Sequence, residues 1–395
     1  MIAVPDLLTI DEALARVLEH VRPLPDEEVR VEAAAGRVLT VGAVACVDLP
    51  PFASSAMDGF AVRAVDTPAL LTVVGRSAAG HPADAVLEAG QAIAISTGAV
   101  VPDGADAVVP VERTRGRGSA VEVERVEPGE NVRPRGGDIA AGAVVVPAGT
   151  TCGPTQLGAL AAVGLATVRC GRRPRVAVLA TGSELRPPGE SLGPGQIYES
   201  NTVMLAAQLR RAGADAEVHG VVADDEDATR AALERGLDAD VLLTSGGVSV
   251  GEHDLVRGLL AELGAAEVFW RVAVKPGKPV AFSTRGSTLV FGLPGNPVSS
   301  FVGFELLVRP ALAALQGAGD PRPAFLSGRL GMALPRNAAR DELVRARIDG
   351  GGLVQPLLGQ ESHMIARAAH ANALVLVPHG TGELAAGSAV SWLPL

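Results

Sequence analysis

The chain has 395 residues, more than one ordinary domain, so two to four units are expected. Hydrophobic residues make up 48% and aromatic ones only 3%, so Val, Leu, Ala and Ile must fill the cores. A formal net charge of -10 excludes a general nucleic-acid binder, which needs a basic face, and leaves room only for local basic pockets.

The first element is a helix. Thr9-Ile-Asp-Glu12 reads as a capping box, and Ile10, Ala13, Leu14, Val17, Leu18 and Val21 follow at helical spacing. Pro23 and Pro25 end it, and residues 29–32 read as a short strand before a short helix at 33–39. Short strand-like runs with turns between them, at 71–74, 92–95, 107–110 and 121–126, predict a small all-β unit. Its polar loops hold Asp58 after Met57, Thr97 beside Gly98, and Arg133-Pro-Arg-Gly-Gly-Asp138. Pro154 opens an apolar helix at 157–163, which is expected to pack against the first helix. The β unit, 46–138, then interrupts a helical first domain made of 1–45 and 139–172.

From 173 to 319 strands alternate with helices. The apolar run 176–180 reads as a strand buried on both faces, ending in Thr181-Gly-Ser-Glu184. A helix at 201–212, a strand at 217–222 ending in Asp224-Asp225 and a helix at 226–236 follow. The strand 240–244 empties into Ser245-Gly-Gly-Val-Ser-Val-Gly251, then Glu252-His253-Asp254 and a helix at 255–263. A strand at 268–274 runs into Lys275-Pro-Gly-Lys-Pro279, and one at 288–291 into Gly292-Leu-Pro-Gly-Asn-Pro297 before a helix at 298–315. This pattern is a doubly wound α/β domain. After the linker at 320–323, five short strands with glycine turns, through 395, read as a small β-barrel or sandwich.

In a parallel sheet such loops gather at the carboxyl edge of the strands, where ligands bind. Glycines let backbone N–H groups approach an anion, and a helix start adds positive potential. Each loop alone reads as a structural turn, with Asp58 and Asp138 capping turns and Asp254 capping a helix. Together, two lysines and several loop carboxylates (Asp58, Asp138, Glu184, Asp224, Asp225, Asp254) suit metal-assisted phosphoryl chemistry, with a hard cation such as Mg²⁺. His253 and His363 read as hydrogen-bonding or surface residues, and Met57 as core. No Walker A motif, no G-x-G-x-x-G after the first α/β strand and no G-x-S-x-G elbow occurs. Cys46, Cys152 and Cys170 form no C-x-x-C pair, which suits a reducing compartment. With no signal-like start and no run of about 20 apolar residues, a cytoplasmic protein without membrane contact is expected.

A set of motifs in order resembles the molybdopterin molybdenumtransferases. They are Pro50-Pro-Phe-Ala-Ser-Ser-Ala-Met-Asp-Gly-Phe-Ala-Val62, Thr97-Gly-Ala with Pro102-Asp-Gly-Ala-Asp-Ala-Val108, Arg135-Gly-Gly-Asp138, Ile197-Tyr-Glu-Ser-Asn201, Gly246-Gly-Val-Ser-Val-Gly-Glu-His-Asp254, Lys275-Pro-Gly-Lys-Pro279 and Gly292-Leu-Pro-Gly-Asn-Pro-Val-Ser299. The resemblance runs from the first helix through the last domain. It implies the fold class: multidomain α/β plus β, with a doubly wound α/β domain, a helical N-terminal domain, an inserted small β domain and a C-terminal β-barrel. It implies insertion of molybdenum from molybdate into adenylated molybdopterin, with Mg²⁺ and release of AMP. It further implies a homodimer whose active site joins the α/β domain of one copy to Asp58 and Asp138 of the other. Transient contact with the adenylyltransferase and with apo-molybdoenzymes follows from the same role.

For the site, the resemblance implies phosphate on Thr181, Gly182 and Ser183 and on Ser245, Gly246, Gly247, Val248 and Ser249. It implies metal on Asp224, Asp254 and Glu184, and molybdate near Lys275, Lys278 and Ser299, with Thr97, Pro294, Gly295 and Asn296 lining the substrate. Arg345 and Ser362 would reach in from the barrel. Three positions depart from the family pattern. Ser183 stands where an acidic residue is common, His253 where an aromatic is usual, and Gln360-Glu-Ser-His-Met364 replaces a glycine- and serine-rich loop around Ser362. The adenylyltransferase one step earlier shares the α/β domain but has no counterpart to residues 1–170 or 320–395. A receptor-clustering scaffold and a non-catalytic paralogue are the other readings; the first lacks a long linker here, and the second is opposed by Asp254, Lys275 and Lys278.

Overall fold

The computed structural model describes residues 7–222, 225–247 and 255–395. The chain folds into four regions, and the α/β domain positions the site. Its sheet has six strands in the order Asp215–Val222, Arg175–Thr181, Val241–Ser245, Thr288–Leu293, Ala281–Arg285, Ala266–Trp270. The first four run parallel, Ala281–Arg285 runs antiparallel to them, and Ala266–Trp270 pairs antiparallel with Ala281–Arg285. The parallel strands at the centre are buried from Val176 to Ala180 and from Val241 to Ser245, as their Val, Leu and Ala runs require. Their register, with Val176 opposite Val241 and Leu243 opposite Phe291, brings Thr181, Ser245 and Leu293 level at one edge.

Helices cover both faces. On one, α4 (Glu226–Gly236) and α5 (Leu255–Glu262) pack against Leu179, Leu242 and Val290. On the other lie α1 (Ile10–His20), α3 (Asn201–Arg211) and the long apolar run α6 (Pro297–Gly303) to α7 (Arg309–Leu315), joined by a π-helical turn, Phe304–Val308. The run Pro297–Leu315 has a mean hydropathy of 1.5, but 78% of it is buried inside the fold, as expected of a core helix.

Two expectations change here. The first helix forms with its capping box as read, but it does not pack on α2 (Pro154–Ala162). Ile10, Leu14 and Val17 join the α/β core, while Leu160 of α2 packs with Val31, Leu39 and Val146. The remainder of the first region is therefore less helical than its periodicity suggests. It is α2 plus two antiparallel ladders, Asp26–Arg30 with Thr167–Gly171 and Ala43–Val44 with Val144–Val146, and a 3₁₀ turn at Val31–Ala33 replaces the short helix. Second, the apolar run 268–274 is not one strand. It breaks at Arg271, whose φ is 80°, and Val274–Lys275 leaves the α/β sheet to pair in parallel with Asp341–Glu342 of the last domain. A strand absent from the sequence reading, Ala281–Arg285, lies between Thr288–Leu293 and Ala266–Trp270 in the sheet.

The inserted region is a six-stranded sheet around Val62, Leu71, Val109 and Val121. Met57, expected in a core, is exposed there. The C-terminal strands close into a five-stranded barrel. Asp341–Ile348 pairs with both Leu353–Pro356 and Ala373–Val377, and Leu326–Leu330 and Ala389–Pro394 complete the ring.

Candidate active site

Three clefts run together along the carboxyl edge of the α/β sheet. The first, about 270 Å³, is lined by Thr181, Gly182, Glu184, Thr229, Gly246, Gly247, Leu255, Val256 and Gly295. Its floor is backbone. Gly246 has φ +94° and Gly247 φ +67°, where an L side chain is strained. A Cβ on Gly246 would stand 2.8 Å from the Thr181 carbonyl oxygen, and one on Gly247 2.4 Å from Val256 Cγ2. This turn accepts only glycine, and the Gly246 N–H is tied to the Leu293 carbonyl at 3.0 Å. The Glu184 carboxylate folds over Gly182, 2.6 Å from where its Cβ would be.

The second cleft, about 530 Å³, shares Thr181, Glu184 and Gly295 with the first and adds Ser245, Asn296, His363 and the segment 197–201. That segment is carried to the edge by a two-stranded parallel ladder, Leu185–Arg186 with Ile197–Tyr198. Asn201, at the start of α3, donates from Nδ2 to Ser245 Oγ at 2.7 Å and to the Gly295 carbonyl at 2.7 Å.

The third cleft, about 240 Å³, lies between the α/β domain and the barrel. It shares Asn296 with the second and is lined by Lys275, Lys278, Pro294, Ser299, Arg340, Gln360, Glu361 and Ser362. Lys275 is half exposed and pairs with Glu342 at 2.5 Å, where the barrel strand meets the lysine loop. The Ser362 carbonyl accepts from the Val298 N–H at 3.1 Å, so the barrel loop is pinned to the start of α6.

The residues read from the sequence divide into four groups. Glu184, Thr181, Gly182, Ser245, Gly246, Gly247, Pro294, Gly295, Asn296, Lys275, Lys278, Ser299 and Ser362 all line this trough. Ser183 is exposed between Gly182 and Glu184, and its carbonyl accepts from Arg186. Asp224, Val248, Ser249, His253 and Asp254 lie outside the described residues. Asp58, Thr97 and Asp138 are exposed on the inserted region; the Thr97 N–H donates to Asp58 Oδ1 at 2.9 Å, and among the described residues none before Ala180 lines the three clefts.

Arg345 is a correction. It is 2% exposed and does not reach the cleft wall. Its guanidinium donates to the carbonyls of Gly359 (2.9 Å), Glu361 (3.2 Å) and Met364 (3.4 Å) and to Gln360 Oε1 (3.1 Å). Burial pushes its pKa down from the usual arginine range, partly countered by Glu361. Arg345 therefore holds the loop that presents Ser362 and does not line the described clefts. Arg340 and Glu342 were missed; both follow a Gly/Pro-poor stretch with no motif to mark them, and only the pairing of Val274–Lys275 with the barrel brings them to the lysines.

Among the described residues no three His, Cys, Asp or Glu converge as a metal cluster. Glu184 is the one carboxylate of the expected metal set whose place is described, at the rim shared by the first two clefts.

Known proteins match along the whole chain. Residues 8–164 match the MoeA N-terminal region (domain I and II), 177–314 a probable molybdopterin binding domain, and 327–395 the MoeA C-terminal region (domain IV). A molybdopterin molybdenumtransferase of Haemophilus influenzae is 35% identical, covering 98% of each chain. Molybdopterin molybdenumtransferase 2 of Mycobacterium tuberculosis is 39% identical over 95% of this chain and 96% of its own. A crystal structure of a molybdopterin biosynthesis MoeA protein from Pyrococcus horikoshii superposes with a TM-score of 0.84 at 29% identity, over 99% of this chain and 100% of its own. With backbone-floored and lysine-lined clefts sharing one trough and relatives matched end to end, the chain belongs to the molybdopterin molybdenumtransferase family of transferases.

Proposed function

We propose that this chain transfers molybdenum from molybdate to adenylated molybdopterin, with Mg²⁺, and releases AMP. The observation that supports this reading most is the continuity of the trough. A glycine-floored cleft and a lysine-lined cleft meet a common middle cleft through shared residues, Gly295 on one side and Asn296 on the other. A substrate carrying a phosphoanhydride can lie with its phosphates on the Gly246–Gly247 turn while an oxyanion waits at Lys275 and Lys278. Backbone amides suit phosphate because their dipoles are fixed before the ligand arrives. Lysines suit a tetrahedral dianion because three donors on a flexible stem can follow its shape.

Water attack on the phosphoanhydride gives AMP and the phosphate monoester of molybdopterin. The two dithiolene sulfurs then displace oxygen from molybdate, which leaves as water after taking up the thiol protons. Glu184, with Asp224 and Asp254, would hold Mg²⁺; one or two carboxylates, waters and phosphate oxygens satisfy this ion, so a rim carboxylate beside the phosphate turn fits. The ion would supply charge neutralisation on the phosphate oxygens. A homodimer completes the reading. Asp58, Thr97 and Asp138 would enter from the second copy, which accounts for a trough walled, among the described residues, by those after 179 alone.

The test mixes the purified protein with adenylated molybdopterin, molybdate and Mg²⁺. AMP is measured by chromatography, and the product by its power to activate an apo-molybdoenzyme. AMP release that depends on Mg²⁺, and that Asp254→Asn abolishes while dimer size and melting temperature stay constant, supports the reading. A folded dimer that releases no AMP, or wild-type turnover by Asp254→Asn, overturns the catalytic or the metal part respectively.

A further inference from the structure

The segment Ile197-Tyr-Glu-Ser-Asn201 has no part in the chemistry above, yet two of its side chains, Glu199 and Asn201, are buried in the middle of the site. Glu199 is 4% exposed, and its carboxylate accepts from the Thr202 N–H at 2.8 Å and the Thr202 hydroxyl at 2.5 Å. This carboxylate, just before the N-cap Ser200 of α3, is favoured by the helix dipole and holds the start of the helix in place. Asn201 is thereby set against the ends of two other elements, with Nδ2 on Ser245 Oγ and on the Gly295 carbonyl.

The orientation of that carboxamide is not free. The Gly295 carbonyl can only accept, so the nitrogen must face it. Asn201 Oδ1 is then buried without a partner. Both amide protons are committed to the site while the oxygen goes unpaired, an arrangement that costs stability. The consequence falls on Ser245, which is 3% exposed. Its oxygen already takes the Asn201 N–H, and a hydroxyl has a single proton. Among the described residues nothing accepts that proton. Ser245 and Asn201 both line the middle cleft, and Ser245 immediately precedes the Gly246–Gly247 turn.

We propose that Asn201 is a positioning residue: it holds the Ser245 hydroxyl as a hydrogen-bond donor to a phosphate oxygen of the substrate, at the seam between the glycine-floored and middle clefts. The inference rests on the phosphate reading of that turn. Asn201 acts on the ligand only through Ser245, and this gives it a signature that a merely structural residue lacks.

The experiment is a double-variant cycle on AMP release at saturating molybdate, with KM for adenylated molybdopterin as the readout and melting temperature recorded for each protein. Ser245→Ala is expected to raise KM about tenfold, the loss of one hydrogen bond to a charged group. Asn201→Ala is expected to raise it about threefold to fivefold, because the freed hydroxyl can turn away. The double variant should match Ser245→Ala alone. If Asn201→Ala raises KM as much in the Ser245→Ala background as in the wild type, or if Ser245→Ala leaves KM unchanged, the proposal is overturned. Should Asn201→Ala lose its melting transition, Asn201→Ser takes its place in the cycle with the same two outcomes. A wild-type protein that releases no AMP overturns the phosphate reading, and this inference with it.

Discussion

The two ends of the trough, which we propose hold anions, are built from opposite materials. At the Gly246–Gly247 end the wall is a glycine turn anchored by its Gly246 N–H on the Leu293 carbonyl, and the side chains around it include Thr181, Thr229 and Val256. At the other end Lys275, Lys278 and Arg340 supply the charge, with Glu342 and Glu361 beside them. A backbone site is rigid and weakly charged, so its strength lies in fixed geometry. A lysine site is strong and adjustable, but its charge is shared with neighbouring carboxylates and screened by salt. One trough with both can hold a large substrate in register at one end and exchange a small dianion at the other.

That contrast predicts where small changes matter most. Gly247→Ala should be the most damaging. The added methyl meets Val256 at 2.4 Å and the residue must keep φ +67°, so the turn has to move. AMP release is expected to fall about a hundredfold, the size of effect a displaced catalytic geometry produces. Molybdate affinity, read by equilibrium dialysis, should hardly change; parallel loss of both would break the division into two ends.

Arg345→Ala comes next and should act through stability. It leaves the Gly359 carbonyl without a described donor and takes the guanidinium from those of Glu361 and Met364, which keep backbone donors. The expected loss is about 3 kcal/mol in a urea titration. Arg345→Lys should recover less than half, because one ammonium cannot serve carbonyls spread along a loop. Full stability with lost molybdate binding would instead make Arg345 a ligand contact.

Glu342→Gln should have the smallest effect and the opposite sign. The Lys275–Glu342 pair is half exposed on the lysine side and so contributes under about 1 kcal/mol. Releasing the lysine should lower KM for molybdate about threefold at low salt, and the gain should shrink as salt screens it. A higher KM would show that Glu342 aims the lysine more than it competes for it.

Much of this was legible in the residues alone. Alternation of strands and helices between 175 and 315 is a local signal, and each boundary carries its own cap, proline or glycine. The chemistry of the edge was legible for the same reason: a Gly-Gly turn and a Lys-Pro-Gly-Lys turn announce themselves within a few residues. Burial was not. Arg345 and Lys275 look alike in sequence as cations near polar loops, yet one is 2% exposed under a loop and the other is half in solvent. The helix at Ile10–His20 showed the same limit. Its periodicity named the buried face correctly, but a 3.6-residue repeat says only that a face is apolar, not what it will meet.

The sequence by itself determined the elements, the order of the domains and the chemical types at the edge of the sheet, because propensity, capping and turn geometry act over a few residues. Only the tertiary structure decided which of those groups share a cleft. The break at Arg271 sends Lys275 to the barrel, the barrel returns Glu342 and Ser362, and Asn201 meets Ser245 and Gly295 across 44 and 94 residues of chain. Contacts of that span are chosen by packing and hydrogen-bond satisfaction over the whole fold, and no local pattern encodes them.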